Sequence, residues 1–148
     1  MTPRLFEAHI DVSNLEESMH FYGQLPGLEL GMKEEGRRIA FYFIGGWNAS
    51  MLGLWEKPAD QVRPQHFAIE LDRPGLDAAI ADLHTKGIPT KNFAGEETGA
   101  PFVFGWMPAA AIYFADPDGH LLEYIAPLPG PPRPEAGILS WPEWQALS

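Results

Sequence analysis

The chain has 148 residues, 45% of them hydrophobic and 20% charged, which is enough for one compact globular domain. Its formal net charge of −10 argues against a nucleic-acid partner, because binding to phosphates relies on clustered Lys and Arg. The lack of cysteine excludes disulfides, thiolate nucleophiles and zinc–thiolate sites. No apolar run reaches the roughly 18 residues of a membrane helix, and no secretory signal opens the chain, so we expect a soluble, cytoplasmic protein.

The first half of the chain is predicted to fold as βαβββ. The alternation in the first strand places His9 and Asp11 on the face opposite Ile10. Asn14 and Glu17 have the spacing of a helix capping box. The predicted strands are residues 5–12, 28–33, 38–44 and 49–55, and the predicted helix is residues 15–25.

The second half repeats this order after a polar link bracketed by prolines, residues 57–64. Its predicted strands are residues 66–71, 89–93, 110–115 and 120–126, and its predicted helix is residues 76–86. Residues 95–108 form a long stretch that contains glycine and aromatic residues. Its length is typical of a functional lid, and an additional strand is an equal alternative.

The pattern predicts an α+β fold of two paired βαβββ modules whose curved sheets form a cleft. We expect one domain over residues 1–126, with modules at about 5–56 and 65–126. The remaining residues, 127–148, are predicted to be a proline-rich tether followed by a short helix that Ser140 caps.

Each half begins with the same pattern and carries a histidine at the same place. Residues 8–12 read Ala-His-Ile-Asp-Val, and residues 65–69 read Gln-His-Phe-Ala-Ile. A duplication that keeps a metal-capable side chain in both copies predicts one site shared by two equivalent halves. His9 and His66 are therefore the first candidate metal ligands.

A carboxylate on the last strand completes the predicted metal site. Glu123 shares a strand face with Leu121 and Ile125, whereas Leu122 and Tyr124 take the other face. Two histidines and one carboxylate leave open positions on a divalent ion, which suits catalysis better than a structural role.

Two motifs resemble the vicinal oxygen chelate proteins. Residues 9–28 (HIDVSNLEESMHFYGQLPGL) are similar to the opening of that family, and residues 113–123 (YFADPDGHLLE) are similar to its closing hairpin. The resemblance implies that His9, His66 and Glu123 take the family's ligand positions and that a homodimer is common. The family includes glyoxalases, fosfomycin-modifying enzymes, extradiol dioxygenases, epimerases and metal-free bleomycin-resistance binders.

The chain departs from the named activities at particular residues. Gly53 stands where glyoxalases place a fourth ligand, and Glu56 is expected to face the other side of that strand. Phe104 and Trp106 lie where extradiol dioxygenases have an acid–base histidine. Glu96 and its acidic neighbour would repel the phosphonate that fosfomycin enzymes bind.

These observations predict a metal-dependent enzyme of the glyoxalase/dioxygenase type that chelates oxygens of a small, partly apolar substrate on Fe, Mn, Zn or Ni. Asp11 is the candidate general base and Tyr113 the candidate proton donor. Trp55, Trp106 and Met107 are candidate substrate-binding residues. The alternative is a metal-free protein of the bleomycin-resistance type that binds a small molecule.

Overall fold

The computed structural model describes residues 1–147, so Ser148, the end of the predicted tail, lies outside the described residues. The elements of the first half are β1 Glu7–Val12, α1 Leu15–Gly23, β2 Leu28–Glu34, β3 Ile39–Ile44 and β4 Ser50–Glu56. Those that follow are β5 His66–Glu70, α2 Arg73–Thr85, β6 Phe102–Phe104, β7 Ala109–Ala115, β8 Leu121–Pro127, β9 Ile138–Ser140 and α3 Trp141–Gln145. No helix among them is long and apolar enough to cross a membrane.

The predicted α+β class and the repeated βαβββ order are confirmed. One sheet has the strand order β1-β4-β3-β2, and the other has the order β5-β8-β7-β6-β9. The first strand of each module pairs in parallel with the last, β1 with β4 and β5 with β8. The remaining pairs are antiparallel. The two histidine-bearing strands, β1 and β5, therefore occupy equivalent places in their sheets.

The contacts divide the chain into two compact units. The first consists of residues 1–65 with the turn at residues 116–120, and the second of residues 66–115 and the chain from residue 121 onward. The turn residues thus belong to the first unit although they connect β7 to β8. Tyr22 Oη donates to Asp116 Oδ2 over 2.7 Å, and Asp116 Oδ1 accepts from the backbone N–H of His120 over 2.8 Å.

In the first unit, α1 covers one face of the four-stranded sheet. The buried stripe of the helix includes Leu15 and Tyr22, and the helix contacts β2, β3 and β4. Asn14 caps the helix, since its side chain accepts from Glu17 N over 3.0 Å. The opposite face, which we call the open face of the first sheet, carries His9 because successive side chains of β1 alternate.

In the second unit, α2 packs on β7 and β8 through its own buried stripe. The strand predicted at residues 89–93 is wrong. Lys91 makes only isolated bridges, and the second strand of this module is β6, in the stretch predicted as a lid or an extra strand. Turn chemistry overrides the strand pattern here, because Asn92 Oδ1 accepts from Glu96 N over 3.0 Å and Gly95 has a φ of 83°.

The C-terminal tail adds a strand that the sequence pattern does not predict. β9 pairs antiparallel with β6, placing Leu139 opposite Val103. The predicted short helix follows as α3, where Ser140 forms a full capping box with Glu143. The Arg73 guanidinium lies over the Trp141 ring, 4.2 Å from its centroid. The tail therefore docks on the second unit.

Gly105 is predicted to be essential for this docking. A Cβ at this position would lie 2.5 Å from Arg133 O and 3.0 Å from Gly137 O, which are backbone atoms that can yield only if the tail moves. We expect Gly105→Ala to accelerate amide hydrogen exchange in residues 138–140 by at least about tenfold, while β8 exchanges as in the wild type. Unchanged exchange in β9 would show that the tail does not depend on this close approach.

Candidate metal and substrate site

A histidine–carboxylate pair lies on the face of the second sheet away from α2, which we call its open face. His66 on β5 and Glu123 on β8 place Nε2 and Oε2 3.0 Å apart. The His66 side chain is 47% exposed, whereas the whole Glu123 residue is 4% exposed. A ligand can therefore reach the pair at His66, whereas the carboxylate of Glu123 is buried within the protein.

The hydrogen bonding of His66 leaves its outer nitrogen as an acceptor. Nδ1 lies 2.9 Å from Leu121 O, and a carbonyl can only accept, so Nδ1 carries the proton. In the neutral ring, the Nε2 lone pair then faces the carboxylate of Glu123. Two acceptors at this distance need a proton or a cation between them, and a backbone carbonyl on the other nitrogen is a common support for a metal-binding histidine.

The second carboxylate oxygen of Glu123 lacks a partner among the described residues. Oε1 is buried without a hydrogen bond, which is costly for an ionised group. Burial raises the pKa of Glu123, and the neighbouring His66 opposes that shift. The donor set of one imidazole and one carboxylate fits a divalent ion, because ligand atoms about 2.1 Å from the same ion lie about 3 Å apart when they subtend a right angle.

The raised pKa predicts a measurable pH dependence in the metal-free protein. Between the ordinary value of 4.5 and the raised folded value, the folded state binds more protons than the unfolded state, so stability falls as pH rises through this window. Glu123→Gln removes the titration. In chelator-treated protein, we expect the free energy of unfolding of Glu123→Gln, measured with denaturant, to increase relative to that of the wild type as the pH rises from 4.5. A constant difference between the two proteins would contradict the assignment.

Tyr113 lies beside the pair. It is directly opposite Glu123 in the β7–β8 register, and its ring centroid is 5.8 Å from that of His66 in an edge arrangement. Burial, followed by the negative charge of Glu123, raises the pKa of its hydroxyl. The phenol therefore stays protonated at neutral pH and can donate a hydrogen bond to a ligand oxygen.

The other candidate ligand, His9, lies on the open face of the first sheet. Its Nε2 is 3.2 Å from Glu7 Oε2, and its ring is 5.5 Å from Phe41 and 5.4 Å from Trp55. Gly53 is its neighbour in the β1–β4 register. Gly53 has no side chain, and the His9 imidazole occupies the space beside it.

Gly53 is predicted to position His9. A Cβ there would lie 2.8 Å from both His9 Cδ2 and Phe41 Cε1, so the imidazole would have to move. We expect Gly53→Ala to weaken zinc binding about tenfold while leaving the fold intact. Gly36→Ala is the matched control, because its nearest neighbour would be Glu34 Oε1 at 3.8 Å. Equal zinc affinity in the two variants would exclude this role.

The remaining predicted residues differ in their surroundings. Asp11 is partly exposed on the His9 face, and its carbonyl accepts from His120 Nε2 over 2.6 Å. Met107 packs against the buried cluster of Phe102 and its neighbours. Trp106 is 59% exposed. Within residues 1–147, no group of three or more His, Asp or Glu side chains is close enough to hold an ion.

Glu56 does not join the site. As its odd spacing from Gly53 predicts, its carboxylate turns to the helix side, where it accepts from Leu15 N over 2.8 Å and from Arg38. Two aromatic residues of these faces were not among the predicted site residues: Phe41, which flanks His9, and Phe102, which flanks Tyr113. Strand alternation was the available signal, since both lie on the same sheet faces as the candidate ligands.

The profile of the Glyoxalase/Bleomycin resistance protein/Dioxygenase superfamily matches residues 5–124, so the chain belongs to that superfamily. A solved integron cassette protein, HFX_CASS4, from the mobile metagenome of the Halifax Harbour sewage outfall is 33% identical. The match covers 84% of this chain and 99% of that one, with a TM-score of 0.74.

Two further structures share the fold at lower identity. The lactoylglutathione lyase of Agrobacterium tumefaciens is 19% identical over 84% of this chain and 94% of its own, with a TM-score of 0.65. The fosfomycin resistance protein FosX of Listeria monocytogenes is 22% identical over 86% and 96%, with a TM-score of 0.64. Because the names of these proteins give different activities on one fold, the fold alone does not determine the reaction of this chain.

Proposed function

We propose that this chain is a metal-dependent enzyme that chelates adjacent oxygens of a small, partly apolar substrate on a divalent ion. His66 and Glu123 hold the ion together with His9. The ligand chemistry, imidazole and carboxylate, is compatible with iron, manganese, zinc or nickel.

One observation carries the proposal. Glu123 is buried with Oε1 unpartnered, and its Oε2 faces the free nitrogen of His66 at 3.0 Å. A buried carboxylate arranged in this way is costly unless a proton or a cation neutralises it, and a divalent ion can bind both groups at once. Because His66 is exposed, the ion would remain accessible to substrate oxygens.

The ion, when bound, supplies a Lewis acid that stabilises charge on a chelated oxygen. Tyr113 keeps its proton and donates a hydrogen bond to a substrate oxygen next to His66. Asp11 is the proposed general base for a substrate proton. Trp55 and Met107 offer apolar contacts to the substrate, and Trp106 is an exposed contact that can approach it.

The proposal requires His9 to reach the ion either from the same chain or from a second copy in a homodimer. Mixing His9→Ala with Glu123→Ala protein distinguishes these cases. If two copies build each site, mixed dimers contain one complete set of ligands and recover up to half of the zinc sites. If one chain builds each site, mixing recovers none.

The functional test compares catechol, which has two adjacent oxygens, with phenol, which has one. We expect zinc-loaded protein to bind catechol at least about tenfold more tightly than phenol in calorimetric titrations, and the metal-free protein to show no such preference. Equal affinity for the two compounds in zinc-loaded protein would contradict chelation.

A second candidate function is metal-free binding of a small molecule. It is favoured by Gly53, which donates no fourth ligand, and by the absence of a three-residue ligand group within residues 1–147. This alternative predicts ligand affinities that do not change when metal is added or removed. A saturable zinc site that is lost in His66→Ala would count against it.

A further inference from the structure

A continuous row of aromatic rings leads away from the His66–Glu123 pair along the open face of the second sheet. The Tyr113 ring lies 5.8 Å from His66, and the Phe102 ring lies 5.1 Å beyond Tyr113. Phe93 follows at 5.9 Å from Phe102. Phe102 is buried, whereas Tyr113 is partly exposed and Phe93 is exposed, so the surface open to an aromatic ligand is formed by the Tyr113 and Phe93 rings, with Phe102 packed between them.

The row ends in a cavity of about 480 Å³. Phe93 and Phe102 belong to both the row and the cavity. The other residues that line it are Asn92, Ala94, Thr98, Ala100, Pro101, Ile138, Leu139, Ser140, Trp141 and Pro142. Five of these twelve lining residues therefore come from β9 and the start of α3.

The cavity presents an uncharged and mainly apolar surface. Three of its polar side chains each accept a hydrogen bond from the backbone: Asn92 from Glu96 N, Thr98 Oγ1 from Ala100 N, and Ser140 Oγ from Glu143 N. All of the described lining residues are uncharged. A ligand group that enters the cavity is therefore apolar, because a charge would lose its hydration without gaining a partner.

The length of the row sets the size of the ligand. Glu123 lies on β8 and Phe102 on β6, two strands away in the sheet order. Two strand spacings amount to about 10 Å. A single ring chelated at the pair would therefore fall short of the cavity, whereas a system of about three fused rings would reach it.

The far wall of the cavity lies outside the part of the chain that the superfamily profile matches. The superfamily match ends at residue 124, and β9 with the start of α3 lies beyond it. Trp141 is held in place by the Arg73 guanidinium. The segment is thus ordered against the second unit and contributes Ile138 and Trp141 to the cavity.

From this geometry we infer that the substrate is an elongated, uncharged aromatic compound with adjacent oxygens at one end, and that residues 138–142 bind its far end. The part of this inference that concerns chelation of the adjacent oxygens rests on the proposed function. The cavity itself is built from the second unit's own residues.

The test measures the binding of catechol, 2,3-dihydroxynaphthalene and 2,3-dihydroxyanthracene to zinc-loaded protein by calorimetry. We expect the third ring to tighten binding at least about tenfold. Trp141→Ala should remove that gain, and so should Ala100→Phe, which fills the cavity without truncating a wall residue. Trp144→Ala, on the same helix but outside this cavity's lining, is the matched control and should retain the gain.

Each outcome bears on a different part of the account. No gain from the third ring, or the same gain in all variants, overturns the inference and leaves the metal proposal intact. If zinc does not bind, the metal proposal fails, and titration of metal-free protein with anthracene decides the inference alone. Anthracene binding that is lost in both Trp141→Ala and Ala100→Phe supports the inference. If anthracene does not bind, or binds to these variants as it does to the wild type, the inference is overturned.

Discussion

Glu123→Gln is expected to lower zinc affinity on the order of 100-fold without destabilising the metal-free protein. The amide has nearly the same shape as the carboxylate but no charge to offer the ion. In the metal-free protein the same change removes a buried charge whose Oε1 is unpartnered, so stability should stay equal or rise at neutral pH. The two effects have opposite signs, which separates loss of a ligand from misfolding.

Calorimetric zinc titration and urea unfolding measure the two effects. Glu70→Gln is the matched control, because Glu70 is an exposed carboxylate on β5. It should change neither quantity appreciably. Unchanged zinc affinity in Glu123→Gln would remove Glu123 from the proposed ligand set.

His120→Ala is expected to destabilise the protein by about 3 kcal/mol. His120 is fully buried in the first unit, where Nδ1 accepts from Gln65 N over 2.9 Å and Nε2 donates to Asp11 O over 2.6 Å. Alanine would leave both backbone groups without these partners and open a cavity. The midpoint of urea unfolding measures the loss.

His20→Ala supplies the comparison, since His20 is exposed on α1. We expect it to change stability by no more than about 0.5 kcal/mol. If His120→Ala were as mild as His20→Ala, the imidazole would not be what anchors residues 116–120 in the first unit.

The fold was largely predictable from the sequence because its signals are local. Alternation along β1 and β5 and the capping of α1 by Asn14 each specify an element without reference to distant residues. The strand predicted at residues 89–93 failed for the same local reason, since Asn92 and Gly95 turn the backbone there. β9 was missed because its three residues are stabilised by pairing with β6, which is a tertiary contact.

The proximity of two candidate ligands followed from the sequence, but the chemistry of the pair did not. Duplication and strand faces pointed to His66 and Glu123, and the structure brings these two together. The tautomer of His66 depends on Leu121 O, and the cost of burying Glu123 depends on Oε1 having no partner. The spacing of residues in the sequence predicts neither the tautomer nor the missing partner. The exposed carboxylate of Glu7 beside His9 is likewise a product of the folded strand.

The central claim is tested most directly by counting metal ions in tag-free protein after reconstitution with iron(II), manganese(II), zinc(II) and nickel(II) in turn. The account predicts close to one ion per chain for at least one of these metals. It also predicts that His9→Ala, His66→Ala and Glu123→Ala each lose that ion while remaining folded by circular dichroism. A wild-type protein that retains none of the four metals would contradict it, as would variants that bind the ion as the wild type does.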